Sequence, residues 1–149
     1  MLKEILFISG HGGLFKMVSQ AKNSVIVESL VDGKRMPTYA TSRISVLEDI
    51  SVFTEEGETT LEEVFKLIHK KEDGKQAISH KSSADELKKY MESVLPNYDK
   101  ERVYVSDIKK VISWYNLLIE KEMLDFTEVF TKEEESDIKA DKGIVKNSD

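Results

Sequence analysis

Between Gly12 and Phe53 the chain never sustains a helical period. The stretch GGLFKMVSQAKNSVIVESLVDGKRMPTYATSRISVLEDISVF is cut by turn chemistry into four or five short apolar runs. That pattern predicts strands. Leu14 to Gln20 reads as one, with Phe15 and Met17 on one face and Lys16 on the other. After a turn at Ala21-Lys22-Asn23, Ser24 to Leu30 is the clearest, because Val25, Ile26 and Val27 are β-branched and stiff at χ1. Asp32-Gly33 supplies the positive φ angles of a tight hairpin. Arg35 to Tyr39 pairs back as an edge strand, since Pro37 has no N–H to give a ladder. Ile44 to Leu47 and Ile50 to Phe53 add two more strands around Glu48-Asp49. About five strands in about fifty residues fit a small SH3-like barrel best, with Phe15 and Phe53 in its core.

Ahead of this unit, Leu2, Ile5, Leu6 and Ile8 fit either one helical turn or a leading strand, and the helical turn is preferred. Gly10-His11-Gly12-Gly13 is a loop. It is no phosphate cradle, because a strand rather than a helix follows it and no Gly-Lys-Ser/Thr is present.

Helical periodicity begins at Thr60. Thr60 and Glu63 form a capping box, and Leu61, Val64, Phe65 and Ile68 then recur at i, i+3, i+4, i+7. Lys71 to Ser82 is a polar linker. Ser83 and Glu86 form a second capping box ahead of Leu87, Tyr90, Met91, Val94 and Leu95, and Pro96 ends that helix. Ser106 is the candidate N-cap of a third helix, with Asp107 suiting its first turn. Its buried face holds Ile108, Val111, Ile112, Tyr115, Leu118 and Ile119, widened by Trp114 and Leu117. Met123, Leu124 and Phe126 close the helical part. From Thr127 the pattern fails, and the acidic stretch through Glu133-Glu134-Glu135 lacks the apolar area to offset ordering entropy.

The expected architecture is therefore α+β. An SH3-like barrel spans residues 1–56, a connecting helix and linker 57–81, a small all-α domain 82–126, and a disordered acidic tail 127–149.

Chemistry is sparse. There is no cysteine, which rules out disulfides and thiolate metal sites. His11, His69 and His80 lack the spacing of a helical zinc site, no serine lies in a Gly-x-Ser-x-Gly elbow, and no cofactor is implied. These residues predict neither catalysis nor a metal. No run approaches the ~20 apolar residues of a membrane helix. Nothing at the N-terminus resembles a signal peptide, so the expected location is the cytoplasm.

Net charge is −6, but residues 1–54 carry six basic and five acidic side chains against 16 and 23 in the remainder. The β unit is thus the only part that does not repel a polyanion. Lys16, Lys34, Arg35 and Arg43, with Tyr39 among them, are its candidate RNA-binding residues, by the logic of cations tracking a backbone while aromatics stack on bases. Trp114 and Tyr115 are adjacent and cannot share one helix face. Either both pack between helices or one faces a partner, for which Trp114 is the candidate anchor.

The runs ISGHGGLFKMVSQAKNSVIVESL, KRMPTYATSRISVLEDISVFT and VLPNYDKERVYVSDIKKVISWYNLL resemble an uncharacterised family of Bacteroidetes proteins. That family pairs an N-terminal SH3-like domain of unknown function with a C-terminal helical one. The resemblance covers residues 1 to about 126. Where the family often has Lys-Pro-Gly, this chain has His11-Gly12-Gly13. The resemblance implies a small barrel plus helices and, by analogy with RNA-associated barrels, contact with RNA. The expected function is a non-enzymatic binding protein that contacts RNA through the barrel. The alternative is an adaptor holding a peptide or partner protein in the barrel groove or on the helical domain.

Overall fold

The computed structural model describes residues 2–39, 43–124 and Phe126. Residues 127–149, where the sequence predicts a tail, lie outside the described residues.

The fold is α+β. Five strands form one antiparallel sheet: β1 (Ile5–Ile8), β2 (Phe15–Gln20), β3 (Ser24–Ser29), β4 (Arg35–Tyr39) and β5 (Ile44–Val46), in the order β4-β3-β2-β1-β5. A 3-10 turn at Leu47–Asp49 leads to a separate hairpin of β6 (Ser51–Thr54) and β7 (Gly57–Thr60). Three helices follow: α1 (Leu61–Lys71), α2 (Ala84–Val94) and α3 (Val105–Glu120). Among the described residues, no helix is long and apolar enough to cross a membrane.

The segment preferred as a helical turn, Leu2 to Ile8, contains the strand β1 instead. β1 sits between β2 and β5, and both of its faces are covered. Leu6 and Ile8 turn toward a small cluster with Phe15 and Val27, while Ile5 and Phe7 pack toward the main core. A strand covered on both faces carries no polar alternation, so Ile-Leu-Phe-Ile gives no period-2 signal.

β4 is an edge strand, as Pro37 requires. The β3–β4 connection is wider than the tight hairpin expected. Ladder pairing ends at Glu28↔Arg35, and Ser29 N–H donates to the Lys34 carbonyl at 2.8 Å. Only Gly33 takes a positive φ there (74°), while the Asp32 carboxylate accepts the Lys34 N–H at 2.9 Å. In β2 the register slips between Met17 and Ser19, which leaves Val18 as a bulge that increases local twist. In the glycine loop Gly13 suits its position: its φ is +79°, and a Cβ there would stand 2.7 Å from Val31 Cγ2.

Two further expectations change. Gly57–Thr60, the start of the segment expected to be a connecting helix and linker, forms β7 and pairs back on β6. α3 begins at Val105, not after Ser106: Tyr104 is the N-cap residue, and the Asp107 carboxylate accepts its N–H at 2.9 Å. The other two helices start where expected, although the Thr60 box is one-sided. Thr60 accepts the Glu63 N–H at 3.1 Å, and Ser83 with Glu86 completes a reciprocal box.

One apolar core runs from Leu2, Ile5, Leu14 and Leu47 into Phe65, Ile68, Leu87, Met91, Ile112, Tyr115 and Leu118. The sheet is thereby seated on the helices, with the β6–β7 hairpin at the seam.

Candidate functional site

At that seam lies a groove of about 280 Å³, bounded by β1, β5, β6 and the N-terminal half of α3. Its α3 wall is one stripe: Asp107, Lys110, Val111 and Trp114 fall at i, i+3, i+4, i+7. On the sheet side, Phe7 points the same way as Ile5, two residues earlier on β1. The Phe7 and Trp114 rings meet at 5.1 Å and 54°, forming the apolar floor.

Two cations border this floor, each over an aromatic ring. The Arg102 guanidinium lies 3.7 Å from the Phe53 ring centroid, and Lys110 Nζ lies 5.2 Å from that of Phe7. The loop before α3 sets Arg102 in place. Asp99 N–H donates to the Phe53 carbonyl at 3.0 Å, and the Asp99 carboxylate accepts the Glu101 N–H at 3.0 Å, an Asx turn. Among the described residues, neither Arg102 nor Lys110 has a carboxylate within ion-pair distance. Phe53, expected in the core, is instead 36% exposed and serves as the platform for Arg102.

The residues singled out from the sequence are distributed otherwise. Lys16, Glu28 and Arg35 form one row across β2, β3 and β4. Glu28 stands between the two cations, 3.9 Å from Lys16 Nζ and 3.1 Å from Arg35 Nε. Lys34 is exposed beside this row in the β3–β4 connection. Tyr39, 56% exposed, is at the far end of β4, opposite Ser24. Arg43 precedes β5 on the other edge of the sheet, its carbonyl accepting the Ser9 N–H at 2.9 Å. Three of the five, Lys16, Lys34 and Arg35, are therefore neighbours, and a carboxylate divides that group. Trp114 is 7% exposed. It lines the groove and does not project from the surface, while Tyr115 enters the main core 6.0 Å from Phe65.

A second polar cluster clamps the α1–α2 linker. The Tyr90 hydroxyl donates to the Glu72 carboxylate, and the Tyr115 hydroxyl donates to the Lys75 carbonyl at 2.8 Å. The Asn116 amide accepts the Ala77 N–H at 2.7 Å and donates to the Ile78 carbonyl at 3.0 Å. Burial, then the Glu72 charge, pushes the Tyr115 phenol up to about 12. Burial, then the hydrogen bond to Glu72, raises Tyr90 as well. Both phenols stay protonated near neutrality and act as structural donors. Among the described residues, no cluster of three His, Asp or Glu could hold a metal.

Sequence reasoning missed Phe7, Phe53, Arg102 and Lys110 as groove residues. One signal was present: Lys110 lies on the stripe that carries Trp114. Arg102 shows nothing of the kind, because only folding brings its loop across β6.

Two family models match the chain: domain of unknown function DUF5606 over residues 2–47 and domain of unknown function DUF6852 over residues 50–118. Their junction falls at the 3-10 turn, so the groove draws Phe7 and Ser45 from the first region and Phe53, Arg102, Lys110 and Trp114 from the second. No curated protein matches the chain. A solution NMR structure of a structural-genomics target from Bacteroides vulgatus is 48% identical over 85% of this chain and 91% of that one, with a TM-score of 0.70.

Proposed function

The chain belongs to the same family as the Bacteroides vulgatus protein, with DUF5606 and DUF6852 regions in tandem, and on that premise we propose that it is a non-enzymatic cytoplasmic adaptor holding a partner protein in the groove between sheet and α3. The observation that carries this reading is the groove itself: an apolar floor of Phe7 and Trp114, rimmed by two cations that have no carboxylate in ion-pair distance among the described residues. Its volume, about 280 Å³, falls just below the ~300–1,000 Å³ of ligand pockets. That suits one large side chain of a partner better than a nucleotide-sized cofactor.

The sheet is read as an SH3-like small barrel left open at one seam. Three observations support this. β5 returns to pair with β1, the Val18 bulge adds twist, and Ile8, Phe15 and Val27 form a cluster of the sheet's own.

The RNA reading draws less support, because Glu28 partly neutralises Lys16 and Arg35. NMR titration of isotope-labelled protein with a peptide panel and with short single-stranded RNA tests both readings. Peptide-induced shifts at the amides of Phe7, Phe53, Lys110 and Trp114 are expected. Shifts confined to β2, β3 and β4, and produced by RNA alone, would overturn the adaptor reading.

A further inference from the structure

Arg102 and Lys110 are cations that line this groove in a chain of net charge −6. Acidic side chains outnumber basic ones, yet these two cations border an apolar groove with no carboxylate in ion-pair distance among the described residues. Asp107, the one acidic residue of the groove wall among the described residues, accepts the Tyr104 N–H at 2.9 Å and so caps α3.

The aromatic contacts leave the cations able to bind. Arg102 lies over Phe53, with its guanidinium carbon 3.7 Å from the ring centroid. Stacking occupies the face of a guanidinium and leaves its edge donors in plane for a carboxylate. Packing on the ring also holds the side chain in position, which lowers the entropy lost on binding. Lys110 over Phe7 places a second ammonium beside the same floor. An extended backbone has a place too: β5, whose Ser45 lines the groove, is an edge strand with β1 on one side only.

Building on the adaptor reading, we propose that the groove recognises a short acidic peptide segment of a partner protein, with one large apolar side chain on the Phe7–Trp114 floor and flanking carboxylates held by Arg102 and Lys110. Charge complementarity selects this occupant. A purely apolar segment would leave both cations beside buried surface without a counter-charge, and a basic one would be repelled.

Trp114 is the only tryptophan and lies in the floor, so its fluorescence reads the groove directly. The probes are a capped Glu-Glu-Phe-Glu-Glu peptide, the same peptide with Gln for every Glu, and a uridine octamer. The proteins are wild type, Arg102→Gln, Lys110→Gln, the double reversal Arg102→Glu with Lys110→Glu, and Lys22→Gln in the exposed β2–β3 turn, outside the groove lining, as a control. Circular dichroism melts confirm that each variant folds. The acidic peptide is expected to shift Trp114 emission saturably, to bind about tenfold more tightly than its Gln analogue, and to weaken with salt. The Arg102→Gln and Lys110→Gln variants are each expected to lose about tenfold, the double reversal all measurable binding, and Lys22→Gln none. Equal binding of the two peptides, or affinity that survives the double reversal, overturns the charge recognition and leaves the adaptor reading standing. No Trp114 response and no groove amide shift with any peptide overturns both. A uridine octamer that alone shifts Trp114 emission, and loses that effect in the double reversal, makes the occupant a nucleic acid and overturns the peptide.

Discussion

Tyr115 is fully buried, yet it carries a hydroxyl, which is tolerable because the Lys75 carbonyl lies 2.8 Å away to accept it. Tyr115→Phe keeps the ring and strands that carbonyl, so urea melts should show a loss of about 1–3 kcal/mol. The raised phenol also sets a pH dependence. Tyr115 titrates at about 12 when folded against an ordinary 10.0, so the folded state keeps a proton that the unfolded chain releases. The stability from this group is whole below pH 10 and is lost as pH rises through 12; Tyr90 shifts in the same direction. Thermal midpoints measured across that window should fall, and fall less steeply in Tyr115→Phe. A variant with an unchanged slope would contradict the assignment. At this scale the sequence announces an apolar Tyr115 through its period. It does not announce the hydroxyl's partner, which comes from a linker 40 residues earlier in the chain.

α3 is the element on which the other parts rest. Ile108, Val111, Ile112, Tyr115 and Leu118 face the core, Asn116 ties down the linker, and Asp107, Lys110 and Trp114 line the groove. Ile112 is 1% exposed, and Ile112→Ala should cost about 2–5 kcal/mol in denaturant melts. A loss below about 1 kcal/mol would place the residue outside the core. The helical stripes were legible because a period of 3.6 residues is a local property of the chain. Strand β1 was not, because a short run covered on both faces has no alternation to read. The α3 start was displaced from Ser106 because the Asp107 carboxylate reaches back to the Tyr104 N–H and caps the helix from within.

For the molecule as a whole, the continuity of the core decides how it unfolds. Ile5 of β1, with Leu2, Leu14 and Leu47 in the segments flanking the sheet strands, shares one cluster with all three helices. Far-UV circular dichroism and Trp114 fluorescence should therefore trace one urea transition with a common midpoint. Two resolved transitions would show that the sheet and the helices hold separately. The sequence by itself determined most of the elements, β1 and β7 excepted: strands where β-branched runs meet turns, helices where apolar residues recur at 3.6, and an overall charge of −6. Each of these depends on neighbours within a few residues. Only the tertiary structure decided which side chains meet. It placed Glu28 between Lys16 and Arg35, dividing the patch that composition alone suggested. It also carried Arg102 over Phe53 and Lys110 over Phe7 to build a groove no local pattern contains. The physical reason is range: propensity and period act along a turn or a strand, whereas a site is made by burial, which joins residues about a hundred positions apart once apolar faces close on one another.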